Sequence, residues 1–106
     1  MEHPDIAASY NNIGVVYRHQ GNYNKALEYL NKALDIRVKV LGLEHSKTAI
    51  SYRNIGKIYE YQGAYTQALE YQNKALKIFE KILGKEHEQT KEIIEIITNL
   101  EKQIQK

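Results

Sequence analysis

Tyr10-Asn11-Asn12-Ile13-Gly14 returns 42 residues later as Tyr52-Arg53-Asn54-Ile55-Gly56, and this internal repeat limits the fold more than any other feature of the chain. Ala26-Leu27-Glu28-Tyr29 matches Ala68-Leu69-Glu70-Tyr71 at the same offset. Asn31-Lys32-Ala33-Leu34 likewise matches Asn73-Lys74-Ala75-Leu76, and Leu41-Gly42 matches Leu83-Gly84. Laid on one another without a gap, residues 3–42 and 45–84 agree at about 23 of 40 positions, more than shared helical composition produces. The chain is therefore expected to build one supersecondary unit twice and to stack the copies.

Each period divides into two helices. Pro4 suits a first helical residue, which needs no N–H, and Asp5 places negative charge at the positive end of the helix dipole. That helix runs to about Gln20, where Gly21-Asn22 breaks it, as Gly63-Ala64 does one repeat later. The second helix runs from Tyr23 to Leu41. Its Tyr23, Ala26, Leu27, Leu30, Ala33 and Leu34 fall at the three-and-four spacing of one apolar face, and Gly42 ends it. After His87, Glu88, Glu92 and Glu95 lie early and Lys102 and Lys106 late, which suits the dipole of a fifth helix reaching about Gln105.

Gly14 and Gly56 sit inside helical patterns at a propensity cost of about 1 kcal/mol each relative to alanine. A close helix–helix approach compensates. Ala26, Ala33, Ala68 and Ala75 serve it from the partner helix, while Tyr10, Tyr17, Tyr52 and Tyr59 fill the wider gaps.

The spacing of Gly14, Tyr17, Gly21, Tyr23, Ala26 and Ala33, copied as Gly56, Tyr59, Gly63, Tyr65, Ala68 and Ala75, resembles the tetratricopeptide-repeat signature. The usual repeat has 34 residues, and the extra eight here lengthen each helix by about one turn. With His3-Pro4-Asp5, Asn11-Asn12-Ile13-Gly14, Gln20-Gly21 and Leu41-Gly42, the long form is similar to the repeats of kinesin light chain. The resemblance implies an all-α fold: an α-solenoid of two antiparallel helix–turn–helix units plus a C-terminal capping helix, wound as a right-handed superhelix. Its divisions are repeat one at 3–44, repeat two at 45–86 and the cap at 87–106, in a single domain. Leu30 and Gln72 depart from the family, which has an aromatic residue there, so the second copy is expected to pack less well. Thr98 replaces the helix glycine and Glu101 the tyrosine in the last helix, as in a cap.

The family resemblance also implies a non-catalytic scaffold that binds a protein or peptide in a concave groove lined by the first helices. The lining stripe holds Ala8, Asn11, Asn12, Val15 and His19 in repeat one, and Ile50, Arg53, Asn54, Lys57 and Tyr61 in repeat two. Asn12 and Asn54 match a family position whose amide grips an extended backbone. Arg53 and Lys57, four apart, set two cations on one face, suited to an acidic side chain or terminal carboxylate. The same stripe carried onward brings Glu92, Glu95, Ile96 and Asn99 beside them, with Ile96 exposed. In the fifth helix Ile93, Ile94, Ile96, Ile97, Leu100 and Ile104 form an apolar face wider than one neighbour covers, with Ile93, Ile96, Leu100 and Ile104 as the self-association surface. A structural segment, excised or designed, whose activity is to fold and self-associate is the alternative reading. Two repeats fall below the three usually needed for a stable solenoid, so either the long helices and cap suffice or a homo-oligomer supplies the missing interface.

Other chemistries find little support. There are no cysteines, so neither disulfides nor thiolate metal sites arise, and a cytoplasmic location is expected. His3, His45 and His87 recur before successive first helices, about 10 Å or more apart in stacked repeats, too far to share a zinc ion, and read as helix-start residues. No His-Glu-x-x-His, phosphate loop or nucleophile elbow occurs, so no cofactor or enzymatic activity is expected. The 15 basic and 13 acidic residues are interspersed for a net charge of +2, and the tyrosines are at core spacing, which disfavours nucleic acid as a partner. No apolar run is long enough for a membrane.

Overall fold

A computed structural model describes residues 4–106 and their side chains from Ile6 onward; His3 lies outside the described residues. Five helices succeed one another: α1 (Pro4–His19), α2 (Tyr23–Leu41), α3 (Ser46–Tyr61), α4 (Tyr65–Leu83) and α5 (Glu88–Gln105). Each packs on its neighbour in the chain. The molecule measures 44 × 33 × 18 Å, and its short dimension is about two helix layers deep.

The boundaries follow from local chemistry. Gly21 and Gly63 turn the chain inside each repeat at φ of 77° and 78°, a region open to glycine and strained for other residues. The Asn22 side chain accepts from the Lys25 N–H at 3.2 Å and caps α2. Ala64, its counterpart before α4, has no side-chain cap. His45 and His87 cap α3 and α5, each Nδ1 accepting a backbone N–H two residues on at 3.1 Å.

Within each repeat the helices approach closely at the glycine. A Cβ on Gly14 would lie 2.7 Å from Leu30 Cγ and 3.2 Å from the Ala26 carbonyl oxygen; one on Gly56 would lie 2.7 Å from Gln72 Nε2 and 3.2 Å from the Ala68 carbonyl oxygen. Both departures from the aromatic pattern are filled sites, since Leu30 and Gln72 are buried. Gln72 Nε2 donates to the Arg53 carbonyl at 3.0 Å, while its Oε1 has no protein partner.

The core comes in three parcels. Ala7, Ala33 and Ile36 form one, Ala26, Leu30, Ile55 and Ile58 the next, and Ala49, Ala75, Phe79, Ile93 and Ile97 the third. The tyrosines form a repeated trio: Tyr29 lies 5.9 Å from Tyr10 and 5.6 Å from Tyr17, and Tyr71 lies 6.2 Å from Tyr52 and 5.5 Å from Tyr59. Lys32 and Lys74 sit 5.0–5.6 Å over two rings of each trio, as cation–π contacts require.

The continuous apolar face expected on α5 is split. Ile93 and Leu100 are 0% and 1% exposed, because they point into the core alongside Ile97, and so are not available for self-association. Ile96 is half-buried and packs against the third parcel rather than standing exposed. Only the flanking Ile94 and Ile104, among the described isoleucines of α5, are exposed.

Candidate protein-interaction site

The residues expected to line a groove come from α1 and α3, and their environments differ sharply. Asn12 is exposed, Asn11 and Val15 are half-buried, and Asn54 is buried. Asn54 Nδ2 donates to Asn11 Oδ1 at 2.9 Å. The two asparagines that are equivalent by repeat are therefore not equivalent in space: Asn12 faces solvent, while Asn54 ties α3 to α1. A peptide can meet Asn12 directly, but must compete for the Asn54 donor.

Arg53 and Lys57 are half-buried on α3. Burial pulls the Arg53 guanidinium below its ordinary value, and Glu92 of α5 acts against that pull. Lys57 is lowered by burial first, then by the charges of Arg18 and Arg53, with Glu60 and Glu92 opposing. Arg18 of α1 and Arg53 of α3 thus act on Lys57 in a partly desolvated setting, where charge interactions are less screened than in water. Perturbed titrations of this kind cluster at functional sites.

Arg18 lies outside the set of residues that the sequence marks as groove-lining. A signal for it exists, because Asn11, Val15 and Arg18 succeed one another at four and three residues along a single stripe of α1. Arg18 lies 5.9 Å from the centre of the Tyr61 ring, which is exposed and stacks on Tyr23 at 6.0 Å and 8°. Its Nη2 is also 3.4 Å from His19 Nε2. The Glu92 charge acts on both Arg53 and Lys57, and Glu95 and Asn99 are exposed on the same helix.

The tetratricopeptide-repeat family model matches residues 5–81 and again 52–95. The chain belongs to the tetratricopeptide-repeat family. No curated protein is similar enough in sequence to count as a relative. Among solved structures, BtubC (BKLC) from P. vanneervenii is similar in fold, with a TM-score of 0.85 and 23% identity over 94% of this chain. The tetratricopeptide chain spans 40% of that protein's length. The helical repeat fold read from the sequence agrees with that neighbour. Among the described residues, no helix of this tetratricopeptide array is long and apolar enough to cross a membrane.

Proposed function

We propose that this tetratricopeptide array is a non-catalytic docking module for an acidic peptide or an acidic segment of a partner protein, received on the α1–α3–α5 surface. The observation that carries this reading is the half-buried Lys57 with Arg18 and Arg53 acting on it: burial first, and then the charges of those two arginines, hold Lys57 below its ordinary value. A carboxylate placed among them relieves that repulsion, and an arginine offers it a two-pronged hydrogen bond. Exposed Asn12 supplies both a donor and an acceptor for the peptide backbone. Because the carboxylate favours charged Lys57, binding weakens as pH rises through the depressed Lys57 value. A cysteine-free scaffold suits the reducing cytoplasm, where we place this activity.

The test is fluorescence anisotropy with a labelled peptide of alternating Asp and Gly, which has no apolar side chain. The variant carrying Arg53→Gln and Lys57→Gln should bind at least about tenfold more weakly, with a shallower dependence on salt. Equal affinity in the two proteins would sink the reading.

Self-association is the second reading, and α1 is the helix that favours it. Ile13 and Val16 are 39% and 54% exposed, while Ile55 and Ile58, their counterparts one repeat later, are fully buried. A copy docking on this face, with Ile94 and Ile104 as further apolar points, would show as a concentration-dependent mass in light scattering. A constant monomer mass would exclude it.

A further inference from the structure

A second concave region of the molecule includes none of Arg18, Arg53 and Lys57. A hollow of about 340 Å³ opens where the α2–α3 loop meets α3 and α4. Its apolar lining is Leu43, Tyr52 and Ile78, and Leu43 stands 57% exposed. The rim carries Lys74, Lys77 and Lys81 against the single carboxylate of Glu44.

The parts of this hollow are held in place. Gly42 donates to two carbonyls at the end of α2, and the Thr48 hydroxyl donates to the Gly42 carbonyl at 2.8 Å, which pins the loop bearing Leu43. Lys81 and Glu44 form an ion pair across the opening. Lys74 is seated over the Tyr52 and Tyr71 rings at 5.5 and 5.1 Å. Glu44 thus answers Lys81, and the remaining rim charge comes from Lys74 and Lys77.

The internal repeat supplies a contrast. Tyr10, Lys32, Ile36 and Lys39 are the counterparts of Tyr52, Lys74, Ile78 and Lys81, so most of the lining is duplicated in kind. Among the lining residues of α3 and α4, position 77 is the exception, because its counterpart is Asp35. Repeat two alone has a third lysine at this rim.

The geometry points to a binding site for an acidic peptide segment with a large apolar side chain at its centre, the side chain entering between Leu43, Tyr52 and Ile78 and the flanking carboxylates meeting Lys74 and Lys77. The volume is near the lower end of the roughly 300–1,000 Å³ of small-ligand pockets, which suits one or two side chains. The apolar lining selects the central residue, and the lysines select its neighbours and speed the encounter.

The experiment uses the full chain and the peptide Asp-Glu-Phe-Leu-Glu-Asp, followed by amide and methyl chemical shifts in NMR. Shifts at Leu43, Tyr52 and Ile78, with affinity lowered about tenfold by Lys77→Asp and by Leu43→Ser, are the expected result. Both positions are exposed, and both variants should keep the wild-type melting curve; Lys77→Gln reads the same charge should the reversal disturb folding. The groove variant with Arg53→Gln and Lys57→Gln should keep these shifts. The inference is overturned if Asp-Glu-Ala-Ala-Glu-Asp binds as well, if Leu43→Ser has no effect, or if the shifts vanish with the groove variant. None of those results touches the groove reading, whose peptide lacks apolar side chains.

Discussion

Arg37 and Phe79 occupy the same place in the 42-residue register, yet each joins its repeat to the next helix by opposite means. At the α2–α3 joint the Arg37 guanidinium is 6% exposed and donates to Ser51 Oγ at 2.8 Å and the Lys47 carbonyl at 3.2 Å. Its Nε has no protein partner, and burial pulls its pKa down. At the α4–α5 joint Phe79 packs against Ile93 and Ile97, and Ile93 is the counterpart of Ser51. The interiors show the reverse: repeat one closes on Leu30, repeat two on buried Gln72. At the position shared by Arg37 and Phe79 the polar group thus sits in the joint after repeat one, and at the position shared by Leu30 and Gln72 it sits in the body of repeat two. Duplicated backbones tolerate either arrangement even with Arg37 Nε in the one and Gln72 Oε1 in the other left without a protein partner, and the two joints should differ in strength and in direction-dependence.

The largest effect expected from breaking this contrast is at Phe79. Phe79→Ala should cost about 3–5 kcal/mol, read from urea unfolding, with hydrogen-exchange protection lost first in α5 and retained in α1 to α3. Uniform loss of protection would show that the apolar joint is not a separate unit. Arg37→Ala should cost about 1–3 kcal/mol, because it strands the Ser51 hydroxyl and the Lys47 carbonyl. Arg37→Met, which keeps the volume and removes the charge, should match or exceed the wild-type midpoint. A methionine variant as weak as the alanine one would make the polar joint a net stabiliser. Gln72→Leu copies the interior of repeat one and removes the orphaned Oε1. It should raise stability by about 1 kcal/mol, and a loss would mean that the bond to the Arg53 carbonyl matters more than the orphan.

The helices were legible because their ends are written in residues with one local use. Glycines at positive φ, Asn22, and histidines that cap through Nδ1 need no tertiary context. Side-chain partners across helices were less legible. Asn54 reaches Asn11 at an offset of 43, one residue away from the register that reveals the repeat, so the pattern gives no sign of the bond. On α5 the breadth of the apolar face misled, although the register did not: Ile97 and Leu100 are the counterparts of buried Ile55 and Ile58, and they are buried too. Tyr29 with Lys32, and Tyr71 with Lys74, are three apart on one helix face, but which rings they meet depends on the neighbouring helix. Arg18 joins Lys57 for the same kind of reason, through the stacking of α1 on α3.

The division of the core into three parcels has a mechanical consequence. Each parcel couples helices close in the chain, so strain at one end is handed on from pair to pair rather than shared at once by the whole molecule. Pulled from its ends, such a chain extends like a spring whose coils part in succession. Released, it recoils quickly, because every contact it must remake is with a segment only a few tens of residues away.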